Sequence, residues 1–342
     1  MLQAFFHAWE RRLSDITKDR VVRPFEWGLD WIPDDVDQPG AHAGEVIDRY
    51  VAGVMADTDA FFTPPPTTDY TLTPAADGDL LTFPSAFITP HDANNTVRAR
   101  YFPAKGAKAA VLVMPQWNAD AGGHIGLSKL LAMNGMSALR LSLPYHDQRM
   151  PPELHRADYI VSANVMRTLQ VCRQAVLDAR RAIAWLTQQG YERIGILGTS
   201  LGSCLALLTT AHEPLVDAAA LNHISPYFAD VVWRGLSTRH VREGLDGHVE
   251  LDLLRSIWQP ISPRGYLERL RNRKTLLVYA RYDLTFPVDL SEDLVRAFKD
   301  LGIPHEVAVL RCGHYSTGKA PFKFVDGYIL TKFLKKALVH GT

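Results

Sequence analysis

From residue 109 onward, short apolar runs alternate with longer segments of helical periodicity, and this alternation limits the possible folds more than any other feature. The first run, 109–114, reads AAVLVM, which is typical of a strand buried on both faces. Further strands are predicted at 137–143, 193–197, 216–221, 275–280 and 305–310, and helices at 125–133, 162–189, 201–211, 290–301 and 321–338. Strands alternating with helices predict an α/β fold, in which helices flank a mostly parallel central sheet.

Residues 1–68 are predicted to be an N-terminal helical extension that packs on the main domain. Residues 44–62 form one helical candidate, and three prolines at 64–66 end this region. An earlier helix is indicated by apolar residues at helical spacing: Phe5, Trp9, Leu13 and Ile16.

The main domain is predicted to span residues 69–338. Short strands at 69–72, 80–83 and 97–102 precede the alternating region. The alternation is interrupted at 225–270, where polar and aromatic helical fragments occur without a clear strand. We interpret this segment as a short helical cap inserted into the main domain.

The charge balance argues against partners that are attracted by a strong overall field. The chain of 342 residues has 37 basic and 37 acidic residues, so its formal net charge is zero. Nucleic acid and anionic membranes are therefore weak candidates, and we expect a small-molecule substrate. A local basic patch is compatible with this balance, because a net charge does not describe a distribution.

Cysteine usage and the N-terminal segment favour a cytoplasmic protein. Three cysteines, Cys172, Cys204 and Cys312, cannot form a disulfide framework and fit a reducing compartment. The first residues show no export signal. Residues 194–211 lack charge over about the length of a membrane span, but their glycines and Thr/Ser cluster indicate a strand, a turn and a helix.

A turn between a predicted strand and a predicted helix carries the strongest functional signal. Residues 198–202, GTSLG, fit the pattern G-x-S-x-G, which exposes a serine on a strained strand-to-helix turn between small neighbours. Ser200 is expected at the start of the helix, where the Leu201 N–H and the helix dipole stabilise an oxyanion. The alternative is a turn that only packs or binds phosphate, although neither G-x-G-x-x-G nor a P-loop occurs.

A serine nucleophile needs a base, and two later residues follow predicted strands in the required order. Asp283 follows the strand 275–280, and His314 precedes the last helix. We predict that Asp283 orients His314 and that His314 removes the proton of Ser200. The competing residues are Asp289, which a helix cap explains more simply, His305, His340, and His223, which can reach the pocket without being the base.

Through these residues the sequence resembles the α/β-hydrolase superfamily over about 69–338. The resemblance implies an α/β-hydrolase fold with Ser200, Asp283 and His314 as a catalytic triad. A serine at this turn implies an acyl-enzyme, so esters, thioesters and amides are candidate substrates. We expect a carboxylesterase-like serine hydrolase acting on a small or medium, neutral or apolar ester. The alternatives are an amidase or peptidase, an acyltransferase, and a non-catalytic binding protein of the same fold.

The resemblance also implies an oxyanion hole with two backbone donors. Leu201 supplies one, and the loop after the family's third strand, here 114–118 (MPQWN), supplies the other. The usual His-Gly is absent from this loop, and Pro115 has no N–H. Trp117 is therefore the first candidate for the second donor, and Asn118 the second.

Candidate substrate contacts lie on three segments. Gln116 belongs to the loop just described, and His146 and Arg149 follow the strand 137–143 at its carboxyl end, where ligands bind in such sheets. A hydrogen-bonded loop beneath the cap is the alternative account of His146 and Arg149. Aromatic residues of the cap either line an acyl or alcohol site or pack within the cap: Tyr227, Phe228, Trp233 and Trp258.

No cofactor and no metal are expected, because neither H-E-x-x-H nor C-x-x-C occurs. The N-terminal extension either braces the main domain or contributes to a homodimer. A histidine base further predicts that activity rises with pH through about 6–7.

Overall fold

A computed structural model describes residues 2–33 and 42–340. Nine strands occur within these ranges: β1 (Thr71–Thr73), β2 (Asp79–Pro84), β3 (Thr96–Phe102), β4 (Ala109–Met114), β5 (Met136–Leu141), β6 (Arg193–Thr199), β7 (Val216–Asn222), β8 (Lys274–Ala280) and β9 (Glu306–Leu310). The same ranges contain twelve α-helices: α1 (Leu2–Ser14), α2 (Ala43–Ala56), α3 (Thr58–Phe61), α4 (Ile125–Met133), α5 (Val165–Gln188), α6 (Leu201–His212), α7 (Phe228–Arg234), α8 (Arg239–Leu245), α9 (Leu251–Ile257), α10 (Val288–Asp300), α11 (His314–Thr317) and α12 (Phe322–Leu338).

The strands form one sheet in the order β1-β2-β3-β5-β4-β6-β7-β8-β9. The pairs from β1 to β5 are antiparallel, and those from β5 to β9 are parallel. The carboxyl ends of six parallel strands therefore meet at one edge of the sheet. Because β5 and β6 lie on opposite sides of β4, the strand order reverses at β4, and ligands bind at such a point in open α/β sheets.

The hydrophobic core lies on both faces of the sheet, as β4 shows. Ala110 and Leu112 belong to the cluster that includes α5 and α6, whereas Val111 and Val113 belong to the cluster that includes α4 and α12. Helices on both faces explain why the run that predicted this strand contains no polar residue. The predicted α/β fold is confirmed, and the elements predicted after residue 109 are present with ends shifted by up to three residues.

The first helix buries a different face from the one predicted. α1 ends at Ser14, so Ile16 lies beyond it, and Phe5 is 61% exposed. The buried residues of α1 are Phe6, Glu10 and Ser14. The apolar pattern was wrong here because two positions of the buried face are polar, and the Glu10 carboxylate is buried together with its hydrogen-bond donors.

The segment predicted as a cap, 225–270, contains α7, α8, α9 and short 3₁₀ helices. Trp258 is fully buried, and its Nε1 donates to the Val165 carbonyl oxygen of α5 at 2.9 Å. α2 contacts α9, so the N-terminal segment and the 225–270 segment also pack on each other. The division into extension, main domain and cap stays a prediction. None of the described helices has the length and apolar composition needed to cross a membrane.

Arg149 does not reach a substrate, because it is buried in an ion pair beneath the sheet edge. Its Nη2 lies 2.8 Å from Asp178 Oδ2, and both side chains are fully buried. Arg149 also donates to the carbonyl oxygens of Ser142 and Asn94, and Ser85 donates to Asp178. The pair thus joins the loop after β5 to α5 and to the antiparallel part of the sheet.

Arg149→Met is expected to lower the free energy of unfolding by about 3–5 kcal/mol, because it leaves the Asp178 carboxylate buried without its cation. Urea denaturation followed by circular dichroism measures this change. Lys336→Met, which removes one partner of an exposed ion pair with Glu306, is the control and should leave the midpoint unchanged. Equal midpoints for the two variants would contradict the importance of the buried pair.

Candidate active site

Ser200 occupies the sharp turn between β6 and α6. Its φ of 58° and ψ of −122° are rarely adopted by L-residues, so the backbone is strained at this position. A Cβ on Gly198 would collide with the Gly202 carbonyl group, and a Cβ on Gly202 would collide with the backbone of Met114 and Pro115. Both glycines are needed because the strand, the helix and the loop after β4 approach one another closely.

The structure brings the three predicted residues into one hydrogen-bonded chain. His314 Nδ1 lies 2.9 Å from Asp283 Oδ2, and His314 Nε2 lies 3.0 Å from Ser200 Oγ. Because a carboxylate only accepts, Nδ1 carries the proton, and Nε2 is free to accept the hydroxyl hydrogen. The residues follow β6, β8 and β9, so the common edge of the parallel strands explains how they meet.

Asp283 is buried and accepts hydrogen bonds on both oxygen atoms. The backbone N–H groups of Thr285 and Phe286 donate to Oδ1 at 2.8 and 2.7 Å, and His314 and His223 donate to Oδ2. Burial by itself raises the pKa of a carboxyl group, but the two histidines outweigh it and hold the pKa of Asp283 well below its ordinary value. The group is therefore a carboxylate at neutral pH.

His223 lies beside this chain, on the second side of Asp283. It follows β7 with a φ of 55°, and its Nδ1 donates to Asp283 Oδ2 at 3.0 Å. Its Nε2 is buried and has no acceptor among the described residues. Because His223 follows a buried strand, the sequence predicts that it lies near the pocket. Its hydrogen bond to Asp283 could not be predicted, because the two residues are 60 positions apart in the chain.

His314 binds a proton more tightly than an ordinary histidine does. Burial lowers the pKa of an imidazole, but the Asp283 carboxylate and its hydrogen bond raise it by more, and Glu10 adds to this effect. The net result is a pKa of His314 above 6.5. The Phe286 ring stacks on the imidazole at 5.3 Å and an interplanar angle of 4°, which fixes the plane of the ring.

The loop after β4 is held by hydrogen bonds that leave one predicted oxyanion donor available. The Asn118 N–H donates to His146 Nε2 at 2.9 Å, so Asn118 cannot serve. The Trp117 indole donates to the Ala157 carbonyl oxygen at 2.8 Å, and the Asn118 side chain accepts the Ala157 N–H. Within residues 2–33 and 42–340, the backbone N–H groups of Trp117 and Leu201 have no acceptor.

A cavity of about 1000 Å³ opens onto Ser200 and His314. Gln116 and Trp117 line it, as do Asn222 and His223. Its apolar lining consists of Leu127, Leu130, Met133, Val161, Leu201, Phe228, Val231, Val232, Phe286 and Phe324. The walls can therefore hold an apolar group next to the hydrogen-bonded chain.

Besides Arg149 and Trp258, three of the predicted substrate contacts do not line this cavity. His146 is buried and holds Asn118, while its Nδ1 donates to the Pro144 carbonyl oxygen at 2.9 Å. Tyr227 precedes α7 and packs against the core, and Trp233 stacks with Arg242.

The residues of α7 that do line the cavity are Phe228, Val231 and Val232. Their spacing of three and four places them on one helix face, and Trp233 points to another. The aromatic composition of residues 225–270 indicated an apolar wall of the pocket, but it did not indicate which residues of α7 face the cavity.

His223, Asp283 and His314 each offer one ligand atom, and these atoms lie within 4.8 Å of one another. The Nδ1 atoms of both histidines donate to Asp283 Oδ2. Hydrogen bonding thus explains this grouping without a metal, and it uses the atoms that a metal would need as free ligands.

No protein-family model matches the sequence, and neither does any curated protein. Similarity is found among solved structures. An acylaminoacyl peptidase of Pyrococcus horikoshii superposes with a TM-score of 0.59 at 14% identity, over 84% of this chain and 43% of its own. For an acetyl xylan esterase from Paenibacillus sp. R4 the TM-score is 0.58 at 14% identity, over 94% of this chain and 98% of the esterase. For a Pyrococcus furiosus esterase the TM-score is 0.54 at 14% identity, over 80% of this chain and 99% of that esterase.

These structures are α/β-hydrolases, and the chain therefore has the α/β-hydrolase fold. It spans less than half of the peptidase but nearly the whole length of the two esterases. At 14% identity the similarity establishes the fold alone.

Because His146 is buried and neutral, we expect the folded protein to lose stability in acid. Burial lowers the pKa of His146 to about 4, so between pH 6.5 and 4 the unfolded chain binds a proton that the folded chain does not. The free energy of unfolding should therefore decrease as the pH is lowered from 6.5 to 4. His146→Gln should reduce the slope by up to about 1.4 kcal/mol per pH unit. Urea denaturation at several pH values measures the slope, and exposed His340→Gln is the control. An unchanged slope in His146→Gln would contradict the assignment.

Proposed function

We propose that this protein is a serine hydrolase that cleaves carboxylic esters through an acyl-enzyme, with Ser200 as nucleophile. The observation that supports this most strongly is the hydrogen-bonded chain from Ser200 through His314 to Asp283 on a strained turn beside an apolar cavity. The solved structures of similar fold include proteins named as esterases, an acetyl xylan esterase and a lipase. Their names support a hydrolase of the carboxylesterase type.

In the proposed mechanism, Ser200 Oγ attacks the ester carbonyl carbon while His314 Nε2 takes the hydroxyl proton. Asp283 keeps the imidazole in the required tautomer and stabilises the imidazolium. The backbone N–H groups of Leu201 and Trp117 stabilise the oxyanion of the tetrahedral intermediate. His314 then gives the proton to the leaving alcohol. A water molecule attacks the acyl-enzyme with His314 again as base, and the carboxylic acid leaves Ser200 with its hydroxyl restored.

The proposed substrate is small or medium in size and apolar near the scissile bond. The cavity volume of about 1000 Å³ and the aliphatic and aromatic side chains of α4 and α7 support this. We further propose that residues 225–270 act as a cap over the cavity, since α7 supplies part of its wall. Three buried free thiols support a cytoplasmic location.

Peptide or amide hydrolysis is the second candidate function, because one structure of similar fold is named an acylaminoacyl peptidase. A 4-nitrophenyl ester and a 4-nitroanilide with the same acyl group separate the two candidates. Turnover of the ester without turnover of the anilide supports the esterase. Turnover of the anilide alone would overturn it in favour of an amidase.

Ser200→Ala and His314→Ala should each lower kcat on the ester by roughly 10⁴-fold or more, because members of a triad act as a unit. Circular dichroism should show an unchanged fold. A fluorophosphonate probe should label the wild-type protein and not Ser200→Ala. The control is Ser256→Ala, which removes an exposed hydroxyl from α9. A folded wild-type protein that the probe does not label would indicate a non-catalytic binding protein.

The pH dependence of kcat/KM should report the proton on His314. Activity should rise with pH as His314 becomes neutral, and the midpoint should lie above 6.5, since Asp283 favours the imidazolium. Initial rates in buffers from pH 5 to 9 measure it, and a flat profile would contradict a histidine base.

A further inference from the structure

The N-terminal helix contributes a buried carboxylate to the segment that carries His314. Glu10 of α1 is fully buried. Its Oε2 accepts the Tyr315 N–H at 2.7 Å, and its Oε1 accepts the Ser316 N–H at 2.9 Å. We propose that Glu10 is a positioning residue for His314, which fixes the backbone that carries the imidazole. This inference rests on the proposed role of His314 as the base.

α11 needs an external acceptor because it is a single turn of four residues. The first N–H groups of a helix have no acceptor within the helix, and an isolated turn is not stable in water. The Gly313 N–H donates to the Ser316 hydroxyl, and the Thr317 N–H donates to the Gly313 carbonyl oxygen. Three N–H groups lie between them, and Glu10 accepts two of these, from Tyr315 and Ser316. Hydrogen bonds to a carboxylate are stronger than neutral ones, so Glu10 fixes the turn that begins at His314.

The contact between Glu10 and α11 is tight, and α1 is anchored on both sides of it. A side chain at Gly313 would collide with the Glu10 carboxyl group. The Phe6 ring stacks on Tyr282, directly before Asp283, with centroids 4.6 Å apart and an interplanar angle of 7°. Glu10 is therefore held in place relative to both loops that supply the base and its acid.

A second contact joins the same N-terminal segment to the residue after His314. The Arg20 guanidinium donates to Tyr315 Oη at 3.1 Å and to Ser14 Oγ at 3.0 Å. Glu10 thus holds the backbone of Tyr315, and Arg20 holds its side chain. The segment 10–20 therefore contacts both the backbone and the side chain of Tyr315.

The charges around His314 give Glu10 a second, measurable effect. Asp283 contacts Nδ1, and His223 lies against the ring on the side of β7. On the α1 side, the Glu10 carboxylate accepts the two N–H groups that follow His314, and the Arg20 cation donates to the Tyr315 hydroxyl. Asp326 of α12 lies beyond His223. Of these groups, Asp283 and Glu10 favour the protonated imidazole, so removing the Glu10 charge should make His314 lose its proton at lower pH.

The test compares Glu10→Gln and Glu10→Asp in ester hydrolysis across pH. In Glu10→Gln, kcat should fall about 10–100-fold with KM within twofold of wild type, because a misplaced base slows the chemical step rather than binding. The pH midpoint of kcat/KM should also move down. In Glu10→Asp the side chain is too short to reach both N–H groups, so kcat should fall while the midpoint moves less.

The control is Asp15→Asn, which removes an exposed carboxylate one turn farther along the chain. It should leave kcat and the midpoint unchanged. A residue that only braces the fold would change the urea midpoint without changing the pH profile. Glu10→Gln with kcat within twofold of wild type and an unchanged pH midpoint would overturn the proposal. If Glu10→Gln does not fold, Glu10→Asp decides it through the same two values.

Failure of the proposed function would be recognised separately. In that case the wild-type protein neither cleaves the ester nor reacts with the fluorophosphonate. The positioning role is then tested by NMR titration of the His314 ring in wild type and in Glu10→Gln. A lower titration midpoint in the variant supports the contact with Glu10, and identical midpoints overturn it.

Discussion

The buried carboxylate of Asp283 holds together loops that three different strands supply. It accepts hydrogen bonds from two backbone N–H groups of its own loop, from His314 after β9 and from His223 after β7. A charge in this position is stable only when its oxygen atoms are fully hydrogen-bonded. Each of these loops therefore takes its position partly from the same carboxylate, and the imidazole that faces Ser200 is oriented as a consequence.

The centre of the sheet could be predicted from the sequence because strands β4 to β7 are buried on both faces. Such a run has a local signature, as AAVLVM in β4 shows, and the residues that follow parallel strands are brought together by topology alone. That was enough to bring Ser200, Asp283 and His314 together. Contacts that depend on side-chain direction have no such signature. The helical phase of α7, the hydrogen bond from Asn118 to His146 and the burial of Glu10 could not be predicted for this reason.

The zero net charge of the chain does not describe the surface that a substrate meets. Besides histidines, the charged residues that line the cavity within the described part of the chain are Arg20, Lys129, Arg156, Lys323 and Asp326. Four of these five are cations, and two of them, Lys129 and Arg156, form ion pairs with Asp77 and Asp19. The local distribution of charge at the wall therefore differs from the balance of the whole chain. Composition is informative about a protein as a whole, whereas the field in a cavity depends on which faces the charged residues occupy.

The hydrogen bond between Glu10 and Ser316 joins residues 306 positions apart. All nine strands lie between these two residues in the chain, so the ribosome synthesises the sheet after Glu10 and before Ser316. The face of α1 that carries the Glu10 carboxylate therefore cannot be buried against α11 until the whole sheet has been synthesised. Assembly of the site consequently cannot precede the emergence of β9 from the ribosome, because Ser316 follows that strand in the chain.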